Sequence, residues 1–462
     1  MSKISPLSGF PELLPAQRVV EQQVIDTLRS TFELHGFAGI ETRAVEPLDQ
    51  LLRKGDTSKE VYLLRRLHEE SAEGHAGLGL HFDLTVPFAR YVLENAGRLE
   101  FPFRRYQIQK AWRGERPQEG RFREFTQADI DIVGRDTLAF HHDVEVTRVM
   151  VDAMTRLDFL PAFRLQVNNR KLIQGFYAGL GIADADEVMR LVDKLDKLPV
   201  ERVRQMLLDE AGLSAADADR VLQLATIRSD DDGFVAAVRA LGVEHELLDE
   251  GLAELGELVR GCADLVSDRV RVTADLSIAR GLDYYTGTVF ETRLDGYESM
   301  GSICSGGRYD ALASDGRTTY PGVGISLGVS RVVVPLLART GLVASRSVPS
   351  AVLVAVTDED SRTASAAVAA ELRARDIACE VAPSAAKFGK QIRFAERRGI
   401  PYVWFVQADG TSQVKDIRTG DQVEADPATW TPPEADLRPR IVSTVGPEAR
   451  TSTTENTNEE TP

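Results

Sequence analysis

The feature that most constrains the fold is a pair of long strand patterns separated by a short segment rich in proline and glycine. The sequence predicts strands over residues 103–113 and 122–133, with Pro117 and Gly120 in the turn region between them. Two long strands joined by so short a loop pair in the antiparallel sense. The segment is therefore predicted to be a long antiparallel hairpin.

This hairpin is basic although the chain is acidic. The formal net charge of the 462 residues is −16. Between residues 101 and 123, however, basic residues outnumber acidic ones by seven to two. The basic residues are Arg104, Arg105, Lys110, Arg113, Arg116, Arg121 and Arg123, and the acidic ones are Glu115 and Glu119. The contrast favours a polyanionic ligand such as a nucleotide or an RNA backbone. A solvated edge ribbon is the structural alternative.

The second strand of the hairpin has a polar face. Side chains alternate along a strand, so Arg123, Phe125, Gln127, Asp129 and Asp131 share one face. Gln127 and Asp131 are separated by roughly 13 Å, the span of a small-molecule pocket. A buried Asp131 needs a cationic or hydrogen-bonding partner. An ammonium or an imidazole would serve as a ligand, and a core arginine would serve as a structural partner.

Two further segments combine polar groups with strand-like surroundings. Residues 280–287 hold a guanidinium, a carboxylate, two phenols and a hydroxyl, which suit recognition of an oxyanion and a polar ligand. Residues 82–87 place Asp83 and Thr85 two apart before Pro87. The latter pair could bind an ammonium or cap the helix that follows.

Glycine-rich segments mark two other candidate binding regions. Gly306 and Gly307 permit a close backbone approach to a ligand, or a turn. Gly322, Gly324 and Gly328 precede a predicted helix that contains Arg331, an arrangement that favours anions but differs in spacing from a dinucleotide-binding fingerprint.

Cysteine and hydropathy patterns narrow the class of protein. The three cysteines are dispersed and the His141–His142 pair has no partner at ligand spacing, so neither a disulfide framework nor a zinc site is predicted. No apolar run approaches the roughly 18 residues of a membrane span, and the N-terminus lacks a signal-peptide pattern. A cytoplasmic location is expected.

Taken together, five motifs resemble the histidyl-tRNA synthetases, a family of class II aminoacyl-tRNA synthetases. Residues 9–15 and the helix predicted after them resemble the family's N-terminus and motif 1, residues 103–134 resemble motif 2, and residues 324–331 resemble motif 3. Residues 280–285 and 306–309 are similar to the two signatures of the histidine enzymes.

The resemblance implies a mixed α/β fold with an antiparallel sheet core flanked by helices. It divides the chain into a catalytic core with motifs 1 and 2 (1–169), a helical insertion (170–266) and the rest of the core (267–341). A linker (342–350), a C-terminal α/β anticodon-binding domain (351–430) and a disordered acidic tail (431–462) are expected to follow.

The implied reaction has two steps. Histidine attacks the α-phosphate of ATP to give histidyl-adenylate and pyrophosphate, and the histidyl group then passes to the 3′ end of histidine tRNA. The resemblance further implies Mg²⁺ bridging the phosphates, a homodimer built on motif 1, and no membrane partner; no protein ligand to the metal is assigned.

The resemblance also implies roles for individual residues. Arg113 and Arg280 would be catalytic, holding the α-phosphate from opposite sides. The histidine site would comprise Asp83, Leu84, Thr85, Arg113, Gln127, Asp131, Arg280, Tyr284, Tyr285 and Tyr309. ATP would contact Arg113, Glu115, Arg121, Phe125 and Arg331, and the tRNA acceptor end would contact Arg116 and Gln118. Asp283 receives no role beyond orienting its strand.

Two departures and one alternative accompany this interpretation. Arg43 stands where motif 1 usually has proline, which bears on the dimer edge. Asp83 and Asp131 stand where many bacterial members have glutamate. The alternative is a catalytically inactive paralogue that regulates histidine biosynthesis, but such proteins lack the anticodon-binding domain and lose ATP-site arginines.

Overall fold

The computed structural model describes residues 5–52, 60–66, 77–278, 285–310, 313–407 and 409–443. Arg280, Asp283 and Tyr284 therefore lie outside the described residues, together with the roles expected of them. The chain divides into two compact units. The first comprises residues 1–11 and 24–332, and the second comprises residues 12–23 and 333–462.

The strands of the first unit form a large sheet and a small one. In chain order they are β1 (Ala38–Gly39), β2 (Val45–Pro47), β3 (Leu63–Leu64), β4 (Leu78–Leu80), β5 (Phe103–Trp112), β6 (Glu124–Val133), β7 (Phe163–Asn169), β8 (Arg228–Ser229), β9 (Val270–Asp275), β10 (Thr288–Leu294), β11 (Cys304–Tyr309) and β12 (Gly322–Gly328). The large sheet has the order β1-β5-β6-β12-β11-β10-β7-β9-β8. Within the run β5-β6-β12-β11-β10-β7 each pair of adjacent strands is antiparallel, as predicted for the core. At the two ends of this run, β1 pairs with β5 and β9 pairs with β7 in the parallel sense.

Helices precede, separate and follow these strands along the chain. They are α1 (Pro15–Leu34), α2 (Leu48–Leu51), α3 (Thr85–Asn95), α4 (His141–Thr155), α5 (Arg170–Gly179), α6 (Ala185–Val192), α7 (Val200–Asp209), α8 (Ala215–Thr226), α9 (Gly233–Arg239), α10 (Glu246–Gly261) and α11 (Val329–Thr340).

The predicted hairpin is the β5–β6 pair. Phe103 lies opposite Val133 and Trp112 lies opposite Glu124. The turn closes through backbone hydrogen bonds in both directions between Gln118 and Arg121. Gly120 has φ +70°, a conformation that glycine adopts without strain. Strand β6 is buried along most of its length, and α4 packs on β6 and β12.

The helices α5 to α10 occupy the segment predicted to be a helical insertion. Helices α5 and α10 approach closely because each places a glycine at the contact. A Cβ at Gly175 would lie 2.1 Å from the Leu248 nitrogen, and a Cβ at Gly251 would lie 2.2 Å from the Leu172 nitrogen. Strand β8 interrupts the helices and pairs with β9, a pairing that the helical pattern does not predict.

The second unit contains the predicted compact α/β fold. Its elements are β13 (Leu342–Ala344), β14 (Val352–Val354), α12 (Arg362–Ala374), β15 (Cys379–Val381), α13 (Phe388–Arg398), β16 (Tyr402–Val406), β17 (Ser412–Asp416), β18 (Gln422–Glu424), α14 (Glu434–Leu437) and β19 (Ile441–Ser443). The five-stranded sheet has the order β15-β14-β16-β17-β18. The three predicted strands pair in parallel, and β17 and β18, which the sequence pattern does not predict, extend the sheet in the antiparallel sense.

The predictions of a linker over residues 342–350 and of a disordered tail over residues 431–462 are each wrong in part. Strand β13 lies within the predicted linker, and β19 lies within the predicted tail; the two pair with each other. Asp436 in α14 is buried and accepts a hydrogen bond from Tyr402 at 2.9 Å and from Arg418 at 2.8 Å. These contacts order residues 431–443, whereas residues 444–462 lie outside the described part of the chain.

Candidate active site

The predicted polar face of β6 lies between residues of β5 and β12. Asp131 is opposite Arg105 on β5 and Gly324 on β12, and Asp129 is opposite Ser326 on β12. Residues directly opposite each other in an antiparallel pair have their side chains on the same face. The sheet register thus brings a cation, two carboxylates and a hydroxyl together.

Asp131 is held from two directions. Its Oδ2 lies 2.6 Å from Nη2 of Arg105, and its Oδ1 accepts a hydrogen bond from the Tyr309 hydroxyl at 2.7 Å. Arg105 is fully buried, and its guanidinium stacks 4.2 Å from the centre of the Phe88 ring. The structural alternative, a core arginine beside Asp131, is therefore observed. A carboxylate has about four acceptor positions, so these contacts leave it able to accept from a ligand as well.

Asp83, Leu84 and Thr85 lie at the start of α3. Asp83 is buried, and its Oδ1 accepts a hydrogen bond from the backbone nitrogen of Val86 at 3.0 Å. Leu84 is fully buried and Thr85 is half-buried. The capping alternative for Asp83 is thus observed. One carboxylate oxygen engages the helix, and a carboxylate can accept further hydrogen bonds.

Gln127 and Asp129 each have an oxygen without a partner in the described part of the chain. Gln127 Nε2 donates to Ser326 Oγ at 2.7 Å, whereas Gln127 Oε1 is buried and makes no hydrogen bond there. Asp129 Oδ1 is also buried and makes no hydrogen bond within the described residues. Leaving a buried polar atom unsatisfied is unfavourable, so such atoms indicate a place where a ligand donates hydrogen bonds.

Asp129 has a strongly shifted pKa. Burial, the largest cause, raises the pKa of the Asp129 carboxyl to about 7. Arg105 opposes this shift, Asp131 and Asp83 add to it, and a hydrogen bond from Ser326 lowers the pKa. A bound cation would favour the ionised carboxylate, so this cluster suits a positively charged ligand.

Three glycines of β11 and β12 leave the space that the neighbouring side chains occupy. A Cβ at Gly324 would lie 2.1 Å from Asp131 Oδ1, and a Cβ at Gly322 would lie 2.5 Å from the Tyr309 ring. A Cβ at Gly307 would lie 2.7 Å from the ring of Tyr285. These glycines therefore permit Asp131, Tyr309 and Tyr285 to lie flat against the sheet.

A cleft lined in part by Gln127 also contains the residues predicted to contact ATP. They are Arg113, Glu115, Arg121, Phe125 and Arg331. The Arg113 guanidinium lies 5.2 Å from the centre of the Phe125 ring, and its Nε donates to the carbonyl of Phe82 at 3.0 Å. The cleft therefore combines an aromatic face with guanidinium groups, the features that a nucleotide requires.

Arg331 is fixed by a backbone carbonyl. Its Nε and Nη2 both donate to the oxygen of Met300, at 3.1 and 2.6 Å. Burial lowers the pKa of Arg331 to about 10, and the nearby Arg121 contributes to this shift. The side chain still carries its charge near neutral pH and is held ready for an anion.

The tip of the β5–β6 hairpin carries the residues predicted to contact tRNA. Arg116 and Gln118 are both exposed. Arg123, close to the same turn, donates from its Nε to the carbonyl of Glu115 at 3.3 Å.

Fewer basic side chains of the hairpin are available to an anionic ligand than the sequence alone suggests, because several pair with carboxylates of the chain. Arg104 pairs with Glu145 at 3.0 Å, Lys110 pairs with Glu124, and Arg105 is buried against Asp131. Arg121 lies 3.6 Å from Glu115, so carboxylates of the chain engage four of the seven cations. The anionic-ligand interpretation rests on Arg113 and on Arg331 of α11.

Three residues of the site escape the sequence patterns. Arg105 reads in the sequence as one of seven basic residues of a ribbon, and the patterns give Ser326 and Met300 no role. The sequence signal for Arg105 is indirect. Alternation along β6 places Asp129 and Asp131 on one face, and a strand paired with β6 has to supply the side chain beside Asp131.

Within the described ranges, no group of three or more His, Cys, Asp or Glu side chains is arranged to hold a metal ion. Nor does any described helix have the length and apolar character needed to cross a bilayer.

Comparison with known proteins decides the family. The histidyl-tRNA synthetase family model matches residues 9–332, and an anticodon-binding-domain model matches residues 350–429. The chain belongs to the histidyl-tRNA synthetase family. It is accordingly an aminoacyl-tRNA ligase, the one that joins histidine to its tRNA, with ATP as a substrate.

Individual relatives agree with this assignment. A histidine–tRNA ligase from Cutibacterium acnes is 59% identical over 455 residues, which cover 96% of this chain and 100% of the relative. The crystal structure of a histidyl-tRNA synthetase from Nostoc superposes with a TM-score of 0.81 at 33% identity, over 92% of this chain and 97% of that one.

The regulatory alternative gains no support. A protein from Bacillus halodurans, described as an ATP phosphoribosyltransferase regulatory subunit/histidyl-tRNA synthetase, superposes with a TM-score of 0.68 at 21% identity, over 82% of this chain and 92% of that one. A likeness at that identity concerns the fold alone. The match of residues 350–429 to an anticodon-binding domain opposes the absence of that domain that the alternative requires.

Proposed function

We propose that this histidyl-tRNA synthetase activates its amino acid on the polar face of β5, β6 and β12, beside the cleft that holds Arg113 and Arg331. The observation that carries the proposal is the set of buried oxygens on that face next to a cleft lined with guanidinium groups. An amino acid offers an ammonium to the first region and a carboxylate to the second.

Histidine recognition is assigned to Asp131 and the side chains around it. Asp83, Thr85 and Gln127 receive the ammonium, and Leu84 forms part of the wall. Asp131 and Tyr285 contact the two ring nitrogens, and Tyr309 and Tyr284 line the pocket. A site that pairs fixed donors and acceptors with both nitrogens excludes an isostere, because the isostere would leave buried groups unpaired.

ATP is assigned to the cleft. Phe125 stacks on adenine, and Glu115, Arg121 and Arg331 contact the remainder of the nucleotide. Arg113 holds both the histidine carboxylate and the α-phosphate, and Arg280 braces the α-phosphate from the other side. Guanidinium groups placed where charge develops stabilise the transition state of phosphoryl attack.

Mg²⁺ is included in the proposal as an ion carried by the nucleotide. The described residues offer no cluster of metal ligands, and Mg²⁺ commonly binds through substrate phosphates with few protein ligands. When bound, it neutralises phosphate charge. Arg113 and Arg331 would orient the same phosphates.

The second step is assigned to the hairpin tip and the C-terminal unit. Arg116 and Gln118 are exposed and would contact the acceptor end of histidine tRNA. The anticodon-binding domain would hold the other end of the tRNA. Helix α13 supports this role, because it exposes Lys390, Arg393 and Arg397.

A homodimer in the cytoplasm completes the proposal. The small sheet of β2, β4 and β3 exposes Leu63 and Leu78, which are 68% and 48% exposed. A second copy would remove such apolar side chains from water. Arg43, which replaces the usual motif 1 proline, pairs with Glu46 at 3.0 Å within the chain.

The experiment that tests the proposal is amino-acid-dependent ATP–pyrophosphate exchange, measured for all twenty amino acids. Exchange should require histidine, and Arg113→Ala should lower kcat by about 10² or more, the size of effect expected when a transition-state donor is removed. Comparable exchange with other amino acids, or an unimpaired Arg113→Ala variant, would contradict the assigned site.

A further inference from the structure

Ser326 lies beside Gln127 and Asp129, each of which has a buried oxygen without a partner in the described part of the chain. It is directly opposite Asp129 in the β6–β12 register, so the two side chains share a face and the Asp129 carboxylate can accept the proton of the Ser326 hydroxyl. Its Oγ also accepts the hydrogen bond from Gln127 Nε2 at 2.7 Å. The residue directly opposite Gln127 on β12 is Gly328, which has no side chain that could bind the Gln127 amide.

The proton inventory of this chain of contacts fixes its direction. A bound ammonium favours the ionised form of Asp129, and an ionised carboxylate can only accept, whereas a serine hydroxyl has one proton to donate. When Ser326 gives its proton to Asp129, its oxygen can only accept from Gln127. The nitrogen of the Gln127 amide must then face Ser326.

The orientation of the amide decides what Gln127 offers to a ligand. With its nitrogen on Ser326, Gln127 directs Oε1 away from Ser326, and this buried oxygen has no hydrogen-bond partner in the described part of the chain. An ammonium group has donors and no acceptor, so it requires such an oxygen. In the flipped orientation the amide would direct N–H groups toward a cation, which is repulsive.

We propose that Asp129 and Ser326 are positioning residues that fix the Gln127 amide with its oxygen toward the α-ammonium group of the bound amino acid. The inference rests on the proposed function, in which Gln127 receives that group. Neither Asp129 nor Ser326 touches the reacting atoms in this assignment. Their contribution is therefore to amino-acid binding and not to the chemical step.

The test is Ser326→Ala, with two ligands that differ only at the ammonium. Steady-state exchange gives KM for histidine and kcat. Equilibrium binding gives Kd for histidine and for 3-(imidazolyl)propionate, which lacks the α-amino group. We expect KM and Kd for histidine to rise by about tenfold, the effect of one misaligned hydrogen bond, with kcat within about twofold. The Kd of the analogue should not change.

Three further variants make the outcome decisive. Ser326→Thr keeps the hydroxyl and should retain near-normal histidine binding. Asp129→Asn preserves shape but can donate to Ser326, so it should also weaken histidine and spare the analogue. Ser305→Ala removes a hydroxyl from the position facing Ser326 on β11 and is the matched control; it should leave the ratio of the two Kd values unchanged.

Equal weakening of both ligands by Ser326→Ala, or no weakening by either Ser326→Ala or Asp129→Asn, would overturn the proposal. Gln127→Ala separates this failure from failure of the proposed function. If Gln127→Ala raises KM for histidine but Ser326→Ala and Asp129→Asn do not, only the positioning role is lost. If Gln127→Ala also has no effect, the assignment of Gln127 to the ammonium fails.

Discussion

Arg105 Nη2 lies 2.6 Å from Asp131 Oδ2, and the arginine that makes this contact is fully buried under the site. The pair joins the core of the protein to the residue assigned to the imidazole. Stability and substrate binding should therefore depend on the same contact.

Replacing Arg105 with leucine should affect both properties. The change leaves Asp131 buried without its cation, and breaking a buried ion pair in this way typically lowers the free energy of unfolding by about 3–5 kcal/mol. KM for histidine should rise as well, because an uncompensated Asp131 tends to become protonated. Urea denaturation and pyrophosphate exchange measure the two effects. Arg104→Leu, which removes the half-exposed pair with Glu145, is the control and should have a much smaller effect on both.

Gly324→Ala should damage histidine binding through a single added methyl group. The new Cβ would lie 2.1 Å from Asp131 Oδ1 and 2.7 Å from the carbonyl of Ile130, so Asp131 has to move. We expect KM for histidine to increase at least tenfold, with a loss of stability of about 1–3 kcal/mol from overpacking. Gly97→Ala, which adds a Cβ with no atom within 4 Å, is the matched control. A Gly324→Ala enzyme with normal histidine kinetics would show that Asp131 can shift without consequence.

Asp129 should make stability depend on pH in the direction opposite to most carboxylates. Its pKa is raised from 3.8 in the unfolded chain to about 7 in the folded one, so the native state binds more protons between these values. The free energy of unfolding therefore decreases as pH rises from about 4 to about 7, and the loss is constant above that range.

Asp129→Asn removes this titration while keeping the shape of the side chain. The stability of the variant relative to the parent should increase from pH 4 to pH 7 and then stay level, with a total change on the order of 4 kcal/mol. Melting temperatures of both proteins across this range provide the measurement, and the other carboxyl groups cancel in the difference. A difference that is constant between pH 4 and pH 8 would mean that Asp129 titrates normally.

Arg331→Lys should separate ATP binding from histidine binding. Lysine keeps the charge but cannot make the two-pronged contact with the Met300 carbonyl. KM for ATP should rise by about tenfold, as expected when an aligned charged hydrogen bond is lost, and Kd for histidine without ATP should not change. Arg317→Lys, on an exposed loop, is the control. A selective change in histidine binding would place Arg331 outside the ATP site.

Charge reversal on α13 should separate the two steps of the reaction. Lys390→Glu combined with Arg393→Glu places acidic groups on an exposed surface assigned to tRNA. Aminoacylation of histidine tRNA should fall by about 10² at moderate salt, whereas pyrophosphate exchange should be unaffected. Glu371→Gln on α12 is the control. A parallel loss of exchange would indicate that the substitutions act on folding and not on tRNA.

Sequence patterns predict the elements whose residues carry strong local signals. The β5–β6 hairpin follows from alternating side chains and from a turn that contains proline and glycine. The helices of residues 170–266 follow from their apolar periodicity. Strands β17, β18 and β19 escape prediction because each is short and fully buries at most one side chain, so their pairing partners determine them and not their own residues.

The candidate site is predictable where one strand carries its residues. Alternation along β6 is sufficient by itself to place Gln127, Asp129 and Asp131 on one face. Arg105 and Ser326 cannot be assigned in this way, because their roles depend on the register of neighbouring strands. Register is a property of the whole sheet, which residues separated by some 200 positions along the chain jointly determine.

The glycines of β11 and β12 have a consequence for inhibition. At Gly307, Gly322 and Gly324 the side chains of Tyr285, Tyr309 and Asp131 lie directly against the backbone, and any larger residue would collide with them. An inhibitor in the proposed histidine pocket would contact these three side chains, which no substitution at the glycines can leave in place. Resistance arising there would also damage recognition of the natural amino acid, so escape should be confined to positions elsewhere in the pocket.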